Sequence, residues 1–346
     1  MLVKLLRLFS VITLCLFISA CASMQYYAQS VVGHSKLMLA REPIDKVIAA
    51  AEPSLQQQLI TAKNIRQFAV TDLSLPDNNS YLYYVDLKRK YPVWTVVAAD
   101  EFSVSPKQWC YPIIGCAAYR GFFSEQKAMD YAAGLKQQGW EVTVLGASAY
   151  STLGWFSDPL LPSMMDDGDA FLAEIVFHEL AHQVMYVKNN TSYNEAFASV
   201  VGEQGALLWL AKNQVESVDA YLKSLTRFNQ FYELLNRLKQ DLQTLYLSDR
   251  SIHIKRDKKK QLFQQLRLDH DHLKQTQWQG TGYDRWFDTP ANNARLAAIA
   301  TYRNEMPKFE RLLKKCEYDF RRFFNVLLSE QSNSVSNNVP ESCHES

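Results

Sequence analysis

A mostly helical α+β fold with a small mixed β-sheet in the N-terminal half is what the sequence predicts, on three observations. Apolar residues recur at helical spacing from about residue 25 to 68, and again almost without interruption from Ala170 onward. Between these blocks, Trp94-Thr95-Val96-Val97 and Glu141-Val142-Thr143-Val144 alternate as strands of a sheet covered on one face do. No internal repeat and no long linker breaks the pattern.

In chain order, residues 25–68 read as two or three helices, with Pro43 and Pro53 at first-turn positions where the missing N–H is harmless. Strand-like runs follow at 81–87, 92–98, 117–122 and 140–145, with a helix over 124–138 between the last two. From Ala170 the chain is helical, with breaks at 189–192, 249–251 and 279–290, after which helices resume over 293–303 and 307–328. The polar tail, 329–346, is loose unless Cys343 ties it down. The resulting division is 1–20 a leader, 21–80 an N-terminal helical segment, 81–328 the main domain and 329–346 the tail.

Composition narrows the function classes. A hydrophobic content of 47% suits a globular chain with a substantial core. The formal charge of +1 becomes −1 once the leader takes Lys4 and Arg7 with it, so no electrostatic footprint for nucleic acid exists. The one basic cluster, Lys255-Arg256-Asp257-Lys258-Lys259-Lys260, lies in a helical segment and reads as a solvated face, with a phospholipid headgroup contact as the alternative.

The most informative residues are His178-Glu179-Leu180-Ala181-His182, the H-E-x-x-H signature of zinc-dependent peptidases. Two imidazoles at i and i+4 lie about 40° apart around a helix, so both rings can reach one ion. Glu179 is then placed to take a proton from zinc-bound water and pass it to a departing amine. The flanking residues Phe171-Leu172-Ala173 and Ile175-Val176-Phe177 are apolar nearly all round, which predicts a buried helix. A hydrogen-bonded pair of core histidines would leave the intervening glutamate unexplained.

A catalytic zinc site takes three protein ligands and leaves a fourth position to water. Glu195, opening the next apolar helix after the polar turn 188–192, is the candidate third ligand. Its alternative role is a capping box, Ser192-x-x-Glu195. Glu203 is the reserve ligand, about 12 Å farther along the helix axis. Ser199, one turn on from Glu195, could orient a ligating group.

The motif and its company resemble the predicted zinc aminopeptidases found as bacterial lipoproteins, a gluzincin-like family. The resemblance is carried by His178 to Gln183, Asn194-Glu195-Ala196-Phe197-Ala198, Tyr119-Arg120-Gly121-Phe122-Phe123, residues 149–160 and Asn292-Asn293-Ala294-Arg295-Leu296. It implies a zincin-like fold with a Zn2+ cofactor, His178, His182 and Glu195 as ligands and Glu179 as base, acting on a peptide substrate as an aminopeptidase. Residues 150–156 are the candidate lip along which an extended peptide lies, and packing is the equal alternative for its aromatics. Asp158, Asp166, Asp167 and Asp169 are candidates for holding a substrate amine, with Asp167 or Asp169 equally suited to capping the motif helix. Tyr302 is the candidate oxyanion donor.

At the N-terminus, Lys4 and Arg7 precede an apolar run, 8–18, too short to span a bilayer and laid out as a signal peptide. It ends at Ile18-Ser19-Ala20-Cys21, which resembles a bacterial lipobox. That likeness implies acylation of Cys21 and, with Ala22 following, a lipid-anchored protein of the bacterial cell envelope at the outer membrane, facing the periplasm; an ordinary secretory signal is the alternative. Cys110, Cys116, Cys316 and Cys343 then remain, an even number suited to an oxidising compartment. Cys110 with Cys116 and Cys316 with Cys343 is one of three possible connectivities.

Two functions fit these residues. One is a zinc peptidase of the envelope, aminopeptidase or endopeptidase. The other is a lipid-anchored binding or chaperone-like protein on an inactive peptidase fold.

Overall fold

The computed structural model describes residues 24–111, 115–214, 217–300, 303, 305–333, 339–340 and 342–343. Helix α1 covers 24–39. A two-residue strand, β1 (Glu42–Pro43), leads into α2 (Ile44–Ala50) and α3 (Pro53–Thr71), the latter opening on its proline. β2 (Tyr83–Tyr84) pairs antiparallel with β1.

Then come β3 (Val93–Ala99), the hairpin of β4 (Trp109–Tyr111) and β5 (Gly115–Ala117), β6 (Arg120–Phe122), α4 (Glu125–Gln137) and β7 (Glu141–Ala147). The remainder is helical: α5 (Pro162–Met165), α6 (Asp169–Val184), α7 (Thr191–Asn213), α8 (Val218–Leu247), α9 (Ile252–Thr276), α10 (Asn293–Ala300), α11 (Met306–Lys315) and α12 (Phe320–Asn333). The fold class is the expected mostly helical α+β. Among the described residues no helix is long and apolar enough to cross a membrane.

Three features of the β region differ from expectation. The three-stranded sheet has the order β6-β3-β7 and every neighbouring pair is antiparallel, so it is not mixed. The reason is that β6 and β7 flank β3 and are joined by α4, which carries the chain across without making them neighbours. The run 81–87 pairs in a strand only over Tyr83–Tyr84, because the backbones of Tyr83 and Val85 bond to Leu160 at 2.8 and 3.1 Å. The β4–β5 hairpin, closed by the Cys110–Cys116 disulfide, had no periodic signal in strands of three residues.

The sheet is covered on both faces, where one was expected. Trp94, Val96, Ala98 and Val142 pack on Ala128, Ala132 and Leu135 of α4, while Val97 and Ala99 meet Ala294 of α10 on the other side. Asn293, fully buried, is the tether: its N–H reaches the Glu141 carboxylate at 2.7 Å. Its side-chain amide bonds the carbonyls of Asp100 and Glu101 at 3.0 and 2.9 Å and accepts from Tyr246 of α8 at 2.8 Å.

The main core is built by α2, α3, α5, α6, α7, α11 and α12 around Leu59, Ile65, Phe177, Phe197, Phe309 and Phe323. A second cluster, with Phe231, Leu235, Leu242, Leu266 and Trp278, joins α8 to α9. The basic cluster of α9 is an anchor in part: Arg256 grips Glu101 at 2.6 and 2.9 Å, and the nearly buried Lys259 pairs with Glu141 and with the Glu101 carbonyl. The single helix expected over 307–328 is two. Glu317 and Tyr318 adopt left-handed φ of 56° and 59°, which ends α11, and Asp319 then accepts the Arg322 N–H at 3.0 Å to start α12. Cys316 between them is bonded to Cys343, so the tail is tied down.

Candidate metal centre

Helix α6 is entered through Gly168, whose φ of 90° suits glycine, and it ends where Met185 turns extended. Residues 185–190 then reverse the chain, and Asn194 clamps that turn by bonding both N–H and C=O of Val187 at 2.8 Å. Asn190 caps α7, accepting the Tyr193 N–H at 3.2 Å. The capping box through Ser192 is therefore replaced by an asparagine cap two residues earlier, and Glu195 is free of that duty.

The two helices pack antiparallel, with Gly202 of α7 against Glu174 and His178 of α6. This brings His178 Nε2 to 3.4 Å and His182 Nε2 to 3.9 Å from the Glu195 carboxylate, and the two Nε2 atoms to 3.2 Å from each other. One donor atom from each of the three residues falls within 4.8 Å of the others.

The donor set suits a cation. Two facing Nε2 atoms share one proton at most, and the surroundings divide that charge unevenly. Burial works against the His178 imidazolium, but the hydrogen-bonded Glu195, with Glu179 and Glu174 behind it, raises its pKa to about 9. Burial and the neighbouring His178 push His182 down to about 4. Burial works against the Glu195 carboxylate, yet both imidazoles keep its pKa below the usual range. The cluster therefore already stabilises one positive charge in the middle of three lone pairs, which is where a divalent ion would sit.

Glu179 is raised to about 7, first by burial and then by Glu195 and Asp158, against the pull of His178 and a hydrogen bond from Ser151. Ser151 belongs to the loop 148–158, which is not a strand but an irregular crossing over α6. Its shape comes from Leu153 and Gly154 at φ of 54° and 81°, with Gly154 against Gln183. Trp155 and Phe156 on this loop are 74% and 53% exposed, so they do not complete the core.

Residues 25–336 match the family described as "Putative aminopeptidase". The chain belongs to that family. Neither a curated protein nor a solved structure matches it.

Other expected site residues of this aminopeptidase-family chain fall elsewhere. Glu203 is buried against Arg303 at 2.7 Å and takes no part in the three-donor cluster. Asp166 and Asp167 are exposed ahead of α6, and Asp169, its first residue, accepts from Gln214 at 2.9 Å; neither Asp167 nor Asp169 caps the helix. Asp169 lies nine residues before His178, about 14 Å along the axis. Asp158 is fully buried beneath the loop, accepting from Thr152 N at 3.0 Å, Thr152 Oγ1 at 2.7 Å and Ser151 Oγ at 3.4 Å. Tyr302 and Cys21 lie outside the described residues.

Two phenols near the cluster escaped the sequence reading. Tyr186, two residues past the end of α6, has its ring centroid 6.4 Å from the His182 imidazole, and its place four residues after His182 in the chain was the signal for it. Tyr81 is buried, its hydroxyl has no hydrogen-bond partner among the described residues, and its pKa is raised by burial, Glu179 and Asp158. Its left-handed φ of 63° and its place 98 residues before Glu179 gave no sequence signal.

The second group with metal-binding residue types, His270, Asp271 and Asp284, is already satisfied. His270 Nε2 accepts the Tyr283 N–H at 3.2 Å, Nδ1 faces Asp271 at 2.9 Å, and Asp284 holds Lys274 at 2.7 Å.

Proposed function

We propose that this chain is a zinc-dependent aminopeptidase of gluzincin type, lipid-anchored through Cys21 at the outer membrane and hydrolysing peptides on the periplasmic side. The observation that carries the reading is the convergence of His178 Nε2, His182 Nε2 and the Glu195 carboxylate within 4.8 Å, with half-buried Glu179 beside them. Two imidazoles and a carboxylate are a donor set suited to zinc with one coordination position left open.

When bound, the ion supplies Lewis acidity, polarising a scissile carbonyl and acidifying a water. His178, His182 and Glu195 hold it from two helices that the Asn194 clamp locks together. Glu179 takes the proton of the attacking water on its carboxylate and returns it to the departing amine. Ser151 hydrogen-bonds this carboxylate from the loop above, and Trp155 and Phe156 on the same loop offer apolar surface to a peptide side chain.

Elemental analysis and peptide hydrolysis test the reading together. Purified protein carries about one zinc per chain, and Glu179→Gln keeps the zinc while losing roughly 10²–10⁴-fold in kcat. A zinc-free protein, or a Glu179→Gln variant of undiminished activity, refutes it. Peptides with free N-termini are cleaved and their acetylated forms are not; equal cleavage of both makes the enzyme an endopeptidase.

A further inference from the structure

Among the described residues, helix α1 is held along one side. Inward, Gly33 lies so close to Phe123 that no Cβ would fit. Gln29 accepts the Phe123 N–H at 3.2 Å, the Arg120 guanidinium lies 3.8 Å from the Tyr26 ring centroid, and His34 Nδ1 meets the Tyr150 hydroxyl at 3.0 Å. Outward, Met24, Tyr27, Val31, Val32 and Leu39 are 68, 45, 65, 52 and 86% exposed. Their spacing makes one helical stripe. No acidic residue occurs between Ala22 and Arg41, and Lys36 is the only lysine or arginine on α1.

A cavity of about 560 Å³ opens beside this stripe, between α1 and the segments 85–89 and 123–127. Val32, Leu87 and Phe123 give it apolar walls, and Lys36, Arg89 and Lys127 give it positive charge. The acid that also lines it, Asp86, is paired with Lys88. Neither Lys36 nor Lys127 has an acidic partner among the described residues, and Arg89 donates to the carbonyls of Tyr91 and Pro92. Apolar walls under unpaired cations, next to an apolar stripe, match the chemistry of an anionic phospholipid at a bilayer surface.

We propose that α1 docks the chain on an anionic bilayer, its outer stripe lying in the interface and the adjacent cavity receiving a phospholipid headgroup. This rests on the lipid-anchor reading: Cys21 precedes Met24 by three residues, so acyl chains inserted there hold α1 at the membrane at high effective concentration. A second copy docked by the same face would oppose like charges at Lys36 and Lys127. The bilayer has the complementary charge. Because the His34 ring also lies 4.5 Å from that of Phe156, tilted against it, the helix that meets the membrane is the one that supports the loop over the metal centre.

The test uses the full chain in vesicles of phosphatidylcholine alone or mixed with phosphatidylglycerol, some with brominated acyl chains. A fluorophore on Val31→Cys is quenched by brominated lipid, and more strongly with phosphatidylglycerol. Lys36→Ala with Lys127→Ala weakens the anionic preference by roughly five-fold per lysine. No quenching at position 31, equal quenching in both vesicle types, or a lipid-independent dimer that Val31→Glu dissolves overturns the proposal. Mass analysis of the N-terminal peptide reads the anchor separately, so an unacylated Cys21 refutes the anchor while quenching at position 31 still decides α1.

Discussion

Asp158 has no exposed surface, yet both carboxylate oxygens are engaged by Ser151 and Thr152, and its backbone joins Ser80 and Tyr81. Burial raises its pKa, against those hydrogen bonds. One buried acid thus ties the loop over the site to the segment ahead of β2. Removing it orphans several donors, each costing about 1–3 kcal/mol if left dry. Asp158→Ala is expected to lower kcat/KM by about 10-fold or more while zinc content is unchanged, because the loop and not the ligand set is loosened. Loss of zinc in that variant would contradict this division of roles. Glu195→Gln is expected to behave in the opposite way, weakening zinc binding by more than about 100-fold, as measured by competition with a chelating dye.

At the scale of elements, the α6–α7 pair depends on Gly202. A Cβ there would stand 2.8 Å from the Glu174 carbonyl and 3.2 Å from His178 Cβ, so the helices would have to part. Gly202→Ala is expected to cost about 1–3 kcal/mol in chemical denaturation. It should also weaken zinc binding, because Glu195 and the histidines sit on opposite sides of that contact. Wild-type metal affinity in this variant would show that the pair tolerates the shift.

The same interface buries two acids against one cation. Glu174 accepts from Tyr221 at 2.6 Å and Glu203 from Arg303 at 2.7 Å. Burial raises Glu203 to about 7, with Arg303 opposing and Glu174 adding to the rise, so the folded chain holds its proton more tightly than the unfolded chain does. Stability from this group is therefore full below the ordinary carboxylate range and is lost as pH rises from about 4.5 to 7. Melting temperatures of metal-free Glu203→Gln are expected to lack this part of the wild-type decline, with the unpaired Arg303 adding an offset independent of pH. Parallel profiles for the two proteins would dismiss the effect.

For the molecule as a whole, the Cys316–Cys343 disulfide closes a segment of 27 residues from the α11–α12 break to the tail. Chain-entropy arguments assign such a loop roughly 3–4 kcal/mol. Cys343→Ser is expected to lose that amount in urea titration, with no change in zinc content, since neither Cys316 nor Cys343 belongs to the three-donor cluster. The Cys110–Cys116 hairpin is different. It lies against the turn between α6 and α7, where Asn189 accepts the Cys116 N–H at 3.1 Å.

Local chemistry made much of this legible from residues alone. Helical period put His178 and His182 on one face, Pro53 marked where α3 begins, and polar breaks marked where α7 and α9 begin. The alternating residues of β3 and β7 declared strands, because side-chain spacing is a property of a few consecutive residues. What separates Glu195 from Glu203 is not local: both recur on one strip of α7, and the docking of that helix on α6 decided which joins the imidazoles. Tyr81 with Asp158, and Asn293 with Glu141 and Asp100, are likewise joined across 77 to 193 residues, and such contacts leave no period in the chain. The second face of the sheet was hidden for the same reason, since α10 reaches it from some 150 residues downstream.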